Sequence, residues 1–217
     1  MAIEAIIFDL DGVIVSTDDY HYLGWKQLAD EAGIPFDREI NHRLRGVSRR
    51  GSLEIILEKA TRDYSEAEIA AMMESKNRFY RESLERELSP AAILPGVNDF
   101  LAETRRRGLK MAIGSSSRNT PLILDRIGMA DTFDAVADGN DISRSKPDPE
   151  VFLLAAERLG IAPTRCLVVE DAEAGVAAAI AGGMRVLAVG YAADDPRAHV
   201  SAPDLASIGV GAAIGAP

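Results

Sequence analysis

Two aspartates, Asp9 and Asp11, stand two residues apart at the end of the apolar run EAIIFDLD. Side chains in an extended strand alternate sides, so these two acids project together while Leu10 turns away. Comparable residues follow at later strand ends. A second apolar run closes in Ser115, Ser116 and Ser117, Lys146 stands in SKPDPE, and CLVVED closes in Glu170 and Asp171. Acids, hydroxyls and one lysine are therefore spaced so that a single sheet edge could collect them. Carboxylates gathered in this way raise one another's pKa unless a cation lies among them. With one cysteine and three histidines in the chain, zinc ligation fits poorly. An all-oxygen set suits Mg²⁺, which keeps waters and is completed by a substrate phosphate. A carboxylate beside that ion can attack phosphorus to give an aspartyl-phosphate, and a second can carry the proton of the leaving or attacking oxygen. Ser115 and Lys146 would then hold the phosphoryl oxygens as charge spreads over them. Singly, such an acid pair is commonly a turn or a helix cap, and such a lysine a solvated loop residue. Their joint order at successive strand ends points to phosphoryl transfer.

The elements that must position these residues can be read from the apolar runs. Residues 4–11, 110–116, 133–139, 165–172 and 184–190 have the length and composition of buried parallel strands. Helical patterns lie between most of them, such as NTPLILDRIGM with Gly128 as its stop, and PEVFLLAAERLGI between Pro149 and Gly160. This alternation predicts an α/β fold, a doubly wound parallel sheet with a Rossmann-like core, whose sites lie at the carboxyl ends of the strands. Residues 14–90 differ: they are helical and charged, with no strand candidate. They read as an inserted α-helical cap domain, leaving 1–13 and 91–217 as the catalytic core. Asp18 and Asp19 suit the start of the first cap helix.

A chain of 217 residues, 47% hydrophobic, is long enough for one large domain or a domain with a substantial insert. The net charge of −10 argues against nucleic acid and anionic membrane as partners, so a phosphate must be met by locally placed cations, amides or a metal. The lone Cys166 excludes an internal disulfide framework and fits a reducing compartment. The start, MAIEAIIFDLD, lacks a basic leader, and no apolar run approaches the roughly 20 residues that span a bilayer. The expectation is a cytoplasmic monomer acting on a small molecule. His42 and His199 read as surface residues, and Cys166 as inert.

DLDGV, GSSS, SKPDP and VVEDA, in that order, resemble the four motifs of the haloacid dehalogenase superfamily of phosphotransferases, and the resemblance runs along nearly the whole chain. It implies that Asp9 is the nucleophile and Asp11 the general acid and base. It also implies Mg²⁺ held by Asp9, the Asp11 carbonyl, Glu170 and Asp171, with Ser115, Ser116 and Lys146 on the transferring phosphate. The segments TDDYHYLGWKQLADEAGI and RGVSRRGSLEIIL resemble the caps of the β-phosphoglucomutases of that superfamily. The implied reaction interconverts β-glucose 1-phosphate and glucose 6-phosphate through an aspartyl-phosphate and a sugar bisphosphate. The alternative is a phosphatase that hydrolyses a small sugar phosphate by the same chemistry.

A bisphosphate demands a second phosphate site. Arg49 suits it, because a guanidinium makes paired, charge-assisted hydrogen bonds. Gly46, Val47 and Ser48 form the loop that presents Arg49, and Ser52, Lys76 and Asn77 are further candidates for the sugar or its phosphate. From the core side, Ser117 and Asn119 are candidates for the distal phosphate. His21 and Lys76 resemble residues that link sugar binding to alignment of the general acid and base, and Trp25 packs in the cap with its edge toward the cleft. Ser116 and Arg118 depart from the alanine and lysine that such mutases tend to carry, which bears on the choice of sugar.

Overall fold

The computed structural model describes residues 2–44 and 47–215, so Gly46 of the expected cap loop lies outside the described residues. The chain opens with strand β1 (Ala5–Phe8) and passes into four helices, α1 (Asp18–Ala32), α2 (Arg38–His42), α3 (Arg49–Leu57) and α4 (Glu66–Glu87). After α5 (Val97–Arg106) the strands return as β2 (Lys110–Gly114), with α6 (Thr120–Arg126) leading to β3 (Ala135–Ala137). Next come α7 (Glu150–Leu159), β4 (Cys166–Glu170), α8 (Glu173–Ala181), β5 (Arg185–Ala188), β6 (Val200–Ser201) and α9 (Val210–Ile214).

The six strands form one parallel sheet in the order β3-β2-β1-β4-β5-β6. Every residue of β1 and β4 is buried, as strands covered by helices on both faces require, which is why they read as unbroken apolar runs. The chain winds outward from β1 to β3 and then returns to the other side at β4. The reversal between β1 and β4 is the point where such sheets open a crevice at their carboxyl ends. Phe8 lies in register with Ile113 of β2 and Val169 of β4. Asp9 after β1, Ser115 after β2 and Glu170 at the end of β4 therefore emerge at one level. The expected runs extend past the hydrogen-bonded strands, and the overhang carries Asp9, Asp11, Ser115, Ser116 and Asp171, while Glu170 is the last residue of β4 itself. β6, only two residues long at the sheet edge, lacks an apolar run and is not apparent in the sequence.

The chain divides into two compact units, Met1–Ser16 with Ser89–Pro217, and Thr17–Leu88. Val15 forms bridges with Asp11 and Ile93, which keeps residues 14–16 with the sheet instead of the insert. The second unit is helical and packs Trp25, Leu28, Leu53, Ile56 and Ile69 into its own apolar cluster. Helix α1 ends at Gly33, whose φ of 68° suits a residue without a Cβ. Helix α4 begins with a reciprocal cap: Glu68 N–H donates to the Ser65 hydroxyl, and Ser65 N–H donates to the Glu68 carboxylate. Among the described residues, no helix is long and apolar enough to cross a membrane.

Candidate active site

The first cluster lies at the carboxyl edge of the sheet. Asp9 follows β1 and is only 7% exposed, and its N–H continues the ladder by donating to Val169 O at 2.9 Å. Lys146 reaches it from the loop before α7. Its ammonium donates to Asp9 Oδ1 at 2.5 Å and to Glu170 Oε2 at 2.7 Å, with a side chain 8% exposed. The Phe152 ring lies 4.5 Å from the same nitrogen. Burial by itself favours the neutral amine, but the Asp9 and Glu170 charges outweigh it and hold the Lys146 pKa above its ordinary value. The other oxygen of Glu170 accepts the N–H groups of Asp171 and Ala172, both at 3.0 Å.

Asp9, Glu170 and Asp171 each place one oxygen within 4.8 Å of the others. Burial raises Glu170 to about 7, Lys146 opposes the rise, and Asp9 adds to it. Burial also raises Asp171, to about 9, with further contributions from Glu170, Asp9 and Asp11. Acids crowded in this way and offering only oxygen form a donor set that fits a hard divalent cation such as Mg²⁺. Two glycines make room for the acids, and neither role is evident in the sequence. A Cβ on Gly12, whose φ is 89°, would lie 2.1 Å from an Asp171 oxygen, and one on Gly175 of α8 would lie 1.9 Å from Glu170 Oε2. The glycine of DLDGV does signal a tight turn. Its second role as a gap depends on a residue far away in the chain.

The serines after β2 form a folded loop. Ser115 is buried, and its hydroxyl accepts Ser117 N–H at 3.2 Å; the Ser117 hydroxyl in turn accepts Asn119 N–H at 3.2 Å. Ser116 directs its hydroxyl to the Lys146 backbone N–H at 3.5 Å, so the serine and lysine motifs adjoin. Asp11 lies at the bridge to Val15, near enough to Asp171 to contribute to its raised pKa.

The second cluster belongs to the helical unit. Lys76, 3% exposed on α4, places its ammonium 2.8 Å from His21 Nδ1. An ammonium can only donate, so Nδ1 is the acceptor and the neutral ring carries its proton on Nε2. Burial, then Lys76 and Arg49, push the His21 pKa well below its ordinary value. The Lys76 nitrogen also stands 4.8 Å from the Trp25 ring and 4.4 Å from the Tyr80 ring. Tyr80 packs against His21 with ring centroids 4.3 Å apart, and its hydroxyl donates to Thr17 Oγ1 at 3.0 Å. Arg49 opens α3 and donates to Asn77 Oδ1 at 2.8 Å.

His21, Trp25 and Lys76 are thus brought together, as are Arg49 and Asn77. Ser48 is engaged as the cap of α3, accepting Gly51 N–H at 3.2 Å, while Ser52 is buried within that helix and Val47 is exposed. Thr17 and Tyr80 are members that sequence reasoning missed. Tyr80 follows Lys76 by four residues on one helix, a spacing that places both on one face.

Residues 3–183 match the family described as haloacid dehalogenase-like hydrolase. The chain is 44% identical over 189 residues to a β-phosphoglucomutase of Bacillus subtilis, covering 86% of this chain and 83% of that one. It is 30% identical over 209 residues to a phosphorylated carbohydrates phosphatase of Thermotoga maritima, covering 94% of each. A crystal structure of β-phosphoglucomutase from Clostridium difficile superposes with a TM-score of 0.86 at 37% identity, covering 94% of this chain and 92% of that one.

Proposed function

The chain belongs to the haloacid dehalogenase-like hydrolases, and from that premise we propose that it is a Mg²⁺-dependent phosphosugar mutase interconverting β-glucose 1-phosphate and glucose 6-phosphate. The observation that carries this reading is the second polar cluster, which places Lys76 against His21 and Arg49 against Asn77 in the helical unit. Simple ester hydrolysis needs one phosphate site. A bisphosphate intermediate needs two, and this acidic chain carries a second cationic group, Lys76 and Arg49, in the helical unit, while Lys146 belongs to the sheet-containing unit. The similarity to β-phosphoglucomutases supports the same choice.

In the proposed reaction, phosphorylated Asp9 gives its phosphoryl group to the 6-hydroxyl of β-glucose 1-phosphate while Asp11 takes the hydroxyl proton. The bisphosphate reorients. Asp9 then attacks the 1-phosphate, the bond from phosphorus to the sugar oxygen breaks, and Asp11 returns the proton to that oxygen. Glucose 6-phosphate leaves and Asp9 is phosphorylated again. Ser115 and Lys146 hold the phosphoryl oxygens, with Ser116 beside them. Asp9, the Asp11 carbonyl, Glu170 and Asp171 are the groups that would hold Mg²⁺, which when bound offsets the charge of the transferring group. The helical unit serves as the cap: Arg49 and Asn77 receive the distal phosphate, and His21 and Lys76 sense the sugar. In this reading Ser117 and Asn119 of the sheet-containing unit are further residues for the distal phosphate. We place the enzyme in the cytoplasm as a monomer.

The test supplies the purified protein with β-glucose 1-phosphate, Mg²⁺ and a trace of sugar bisphosphate. Glucose 6-phosphate should form faster than inorganic phosphate. The reverse ratio would assign the chain to the second reading, a sugar-phosphate phosphatase, which the similarity to the Thermotoga enzyme favours.

A further inference from the structure

The loop after β3, residues 138–140, has no part in the chemistry above, yet it holds the serine loop in place. β2 and β3 pair as far as Gly114 and Ala137. Beyond that register the hydrogen bonds continue between the two loops. Ser115 N–H donates to Ala137 O at 3.1 Å, and Gly139 N–H donates back to Ser117 O at 3.2 Å. Arg118 Nε donates to Gly139 O at 3.2 Å, and Asn140 Nδ2 donates back to Arg118 O at 3.1 Å. Counting Ala137 at the end of β3, each side gives two bonds and receives two, so the contact resists sliding in either direction.

The approach is close enough to exclude a side chain. A Cβ on Gly139 would lie 2.3 Å from Ser116 O and 2.9 Å from both Arg118 N and Ser117 C, all of them backbone atoms. Gly139 has no positive φ, so this proximity is what requires glycine there. Asp138, 5% exposed, fixes the loop from beneath. Its Oδ1 accepts Asn140 N–H at 2.7 Å and Asn140 Nδ2 at 2.9 Å. Asp138 N–H donates to Asp141 at 2.9 Å, and Asp141 is gripped through both oxygens, each at 2.8 Å, by Arg158 of α7. A continuous chain of polar contacts therefore runs from α7 through Asp141, Asp138 and Asn140 to the Arg118 carbonyl.

The bonds within the serine loop keep its shape but do not set its position in the site. A displacement of about 1 Å at such a site can cost about a hundredfold in rate. We infer that Asn140 is a positioning residue for phosphoryl transfer: its amide ties the 115–119 loop to Asp138 and sets where Ser115 meets a phosphoryl oxygen. Asn140 is exposed, so packing does not demand an amide there. Its Nδ2 donates in two directions without adding charge, which neither aspartate nor a small apolar residue can do. The inference rests on the reading of Ser115 as a phosphate-binding group.

The experiment measures binding of inorganic phosphate to the full chain in Mg²⁺ by calorimetry, with thermal melting of each variant alongside. Ser115→Ala is the reference for the site. Asn140→Ala should weaken phosphate about five- to tenfold, and Asn140→Asp, equal in shape but without the donor, should weaken it at least as much. Asn140→Ala should melt close to the wild type, whereas Asn140→Asp sets a second carboxylate beside Asp138 and is read by affinity alone. Gly139→Ala should also weaken phosphate, because it pushes the serine loop out of place. Wild-type affinity in both Asn140 variants, or in Asn140→Asp alone, overturns the inference. So does an Asn140→Ala melting point that falls in step with affinity, since that would mark general loosening. If Ser115→Ala weakens phosphate and the Asn140 variants do not, the inference fails while the site reading stands. If Ser115→Ala has no effect, both fall.

Discussion

An ammonium group shared by two buried carboxylates from different strand ends both neutralises them and fixes their separation. Lys146 does this for Asp9 and Glu170, whose side chains are 10% and 1% exposed. Removing one partner from a buried charge set leaves the others uncompensated, a change that costs about 3–5 kcal/mol. Lys146→Met should therefore lower the unfolding free energy of the sheet-containing unit in the metal-free protein by about that amount, read from the later of its urea transitions, and Mg²⁺ should restore part of it. A loss below about 1 kcal/mol, the range of exposed pairs, would show that the lysine is not needed to hold these acids. Asp9, Lys146 and Glu170 were legible as candidates for one shared site because each follows an apolar run or stands in a distinctive motif. Their mutual grip was not, because the bonded atoms lie 137 and 24 residues apart in the chain. Gly12 and Gly175 were illegible as parts of the site for a related reason: an empty volume has meaning only beside the atom that fills it.

Elements differ in how plainly they announce themselves. β1 and β4 were readable because both faces are covered and polar residues are excluded. β6 was not, because a two-residue edge strand needs no apolar run. The division between sheet and insert was displaced by a few residues because the bridges of Val15 to Asp11 and Ile93 are long-range pairings without a sequence signal. The pairing of α1 with α4 has a consequence for pH. His21 of α1 is held neutral by burial and by Lys76 and Arg49, so its folded-state pKa lies below the unfolded value of 6.5. Its contribution to stability is complete above that unfolded value and is lost as pH falls toward the depressed one, because the unfolded chain then binds the extra proton. Glu170 and Asp171, raised to about 7 and about 9, act in the opposite sense in this window, so the measurement is a difference: between about pH 7 and pH 5 the wild type should lose melting temperature relative to His21→Asn. An unchanged difference would place the pH dependence elsewhere.

At the scale of the molecule, two compact units with separate apolar clusters sit in one chain. Chains built from more than one cooperative unit depart from two-state unfolding. Urea unfolding followed by far-ultraviolet circular dichroism should therefore not superpose on unfolding followed by tryptophan emission, the smaller helical unit melting first. Coincident curves would show that the units unfold as one. The inserted helical block could be read from its lack of strand candidates, whereas the strand order could not, since it depends on which strands pair across long separations. Trp25 is the sole tryptophan, and the Lys76 ammonium stands over its ring. The helical unit is thus labelled by its own sequence with a fluorophore, and a fixed charge sits within reach of the excited state. If a sugar phosphate draws Lys76 toward its oxygens as proposed, the field on the indole changes, and occupancy would then be read as a shift in native emission, with no dye attached.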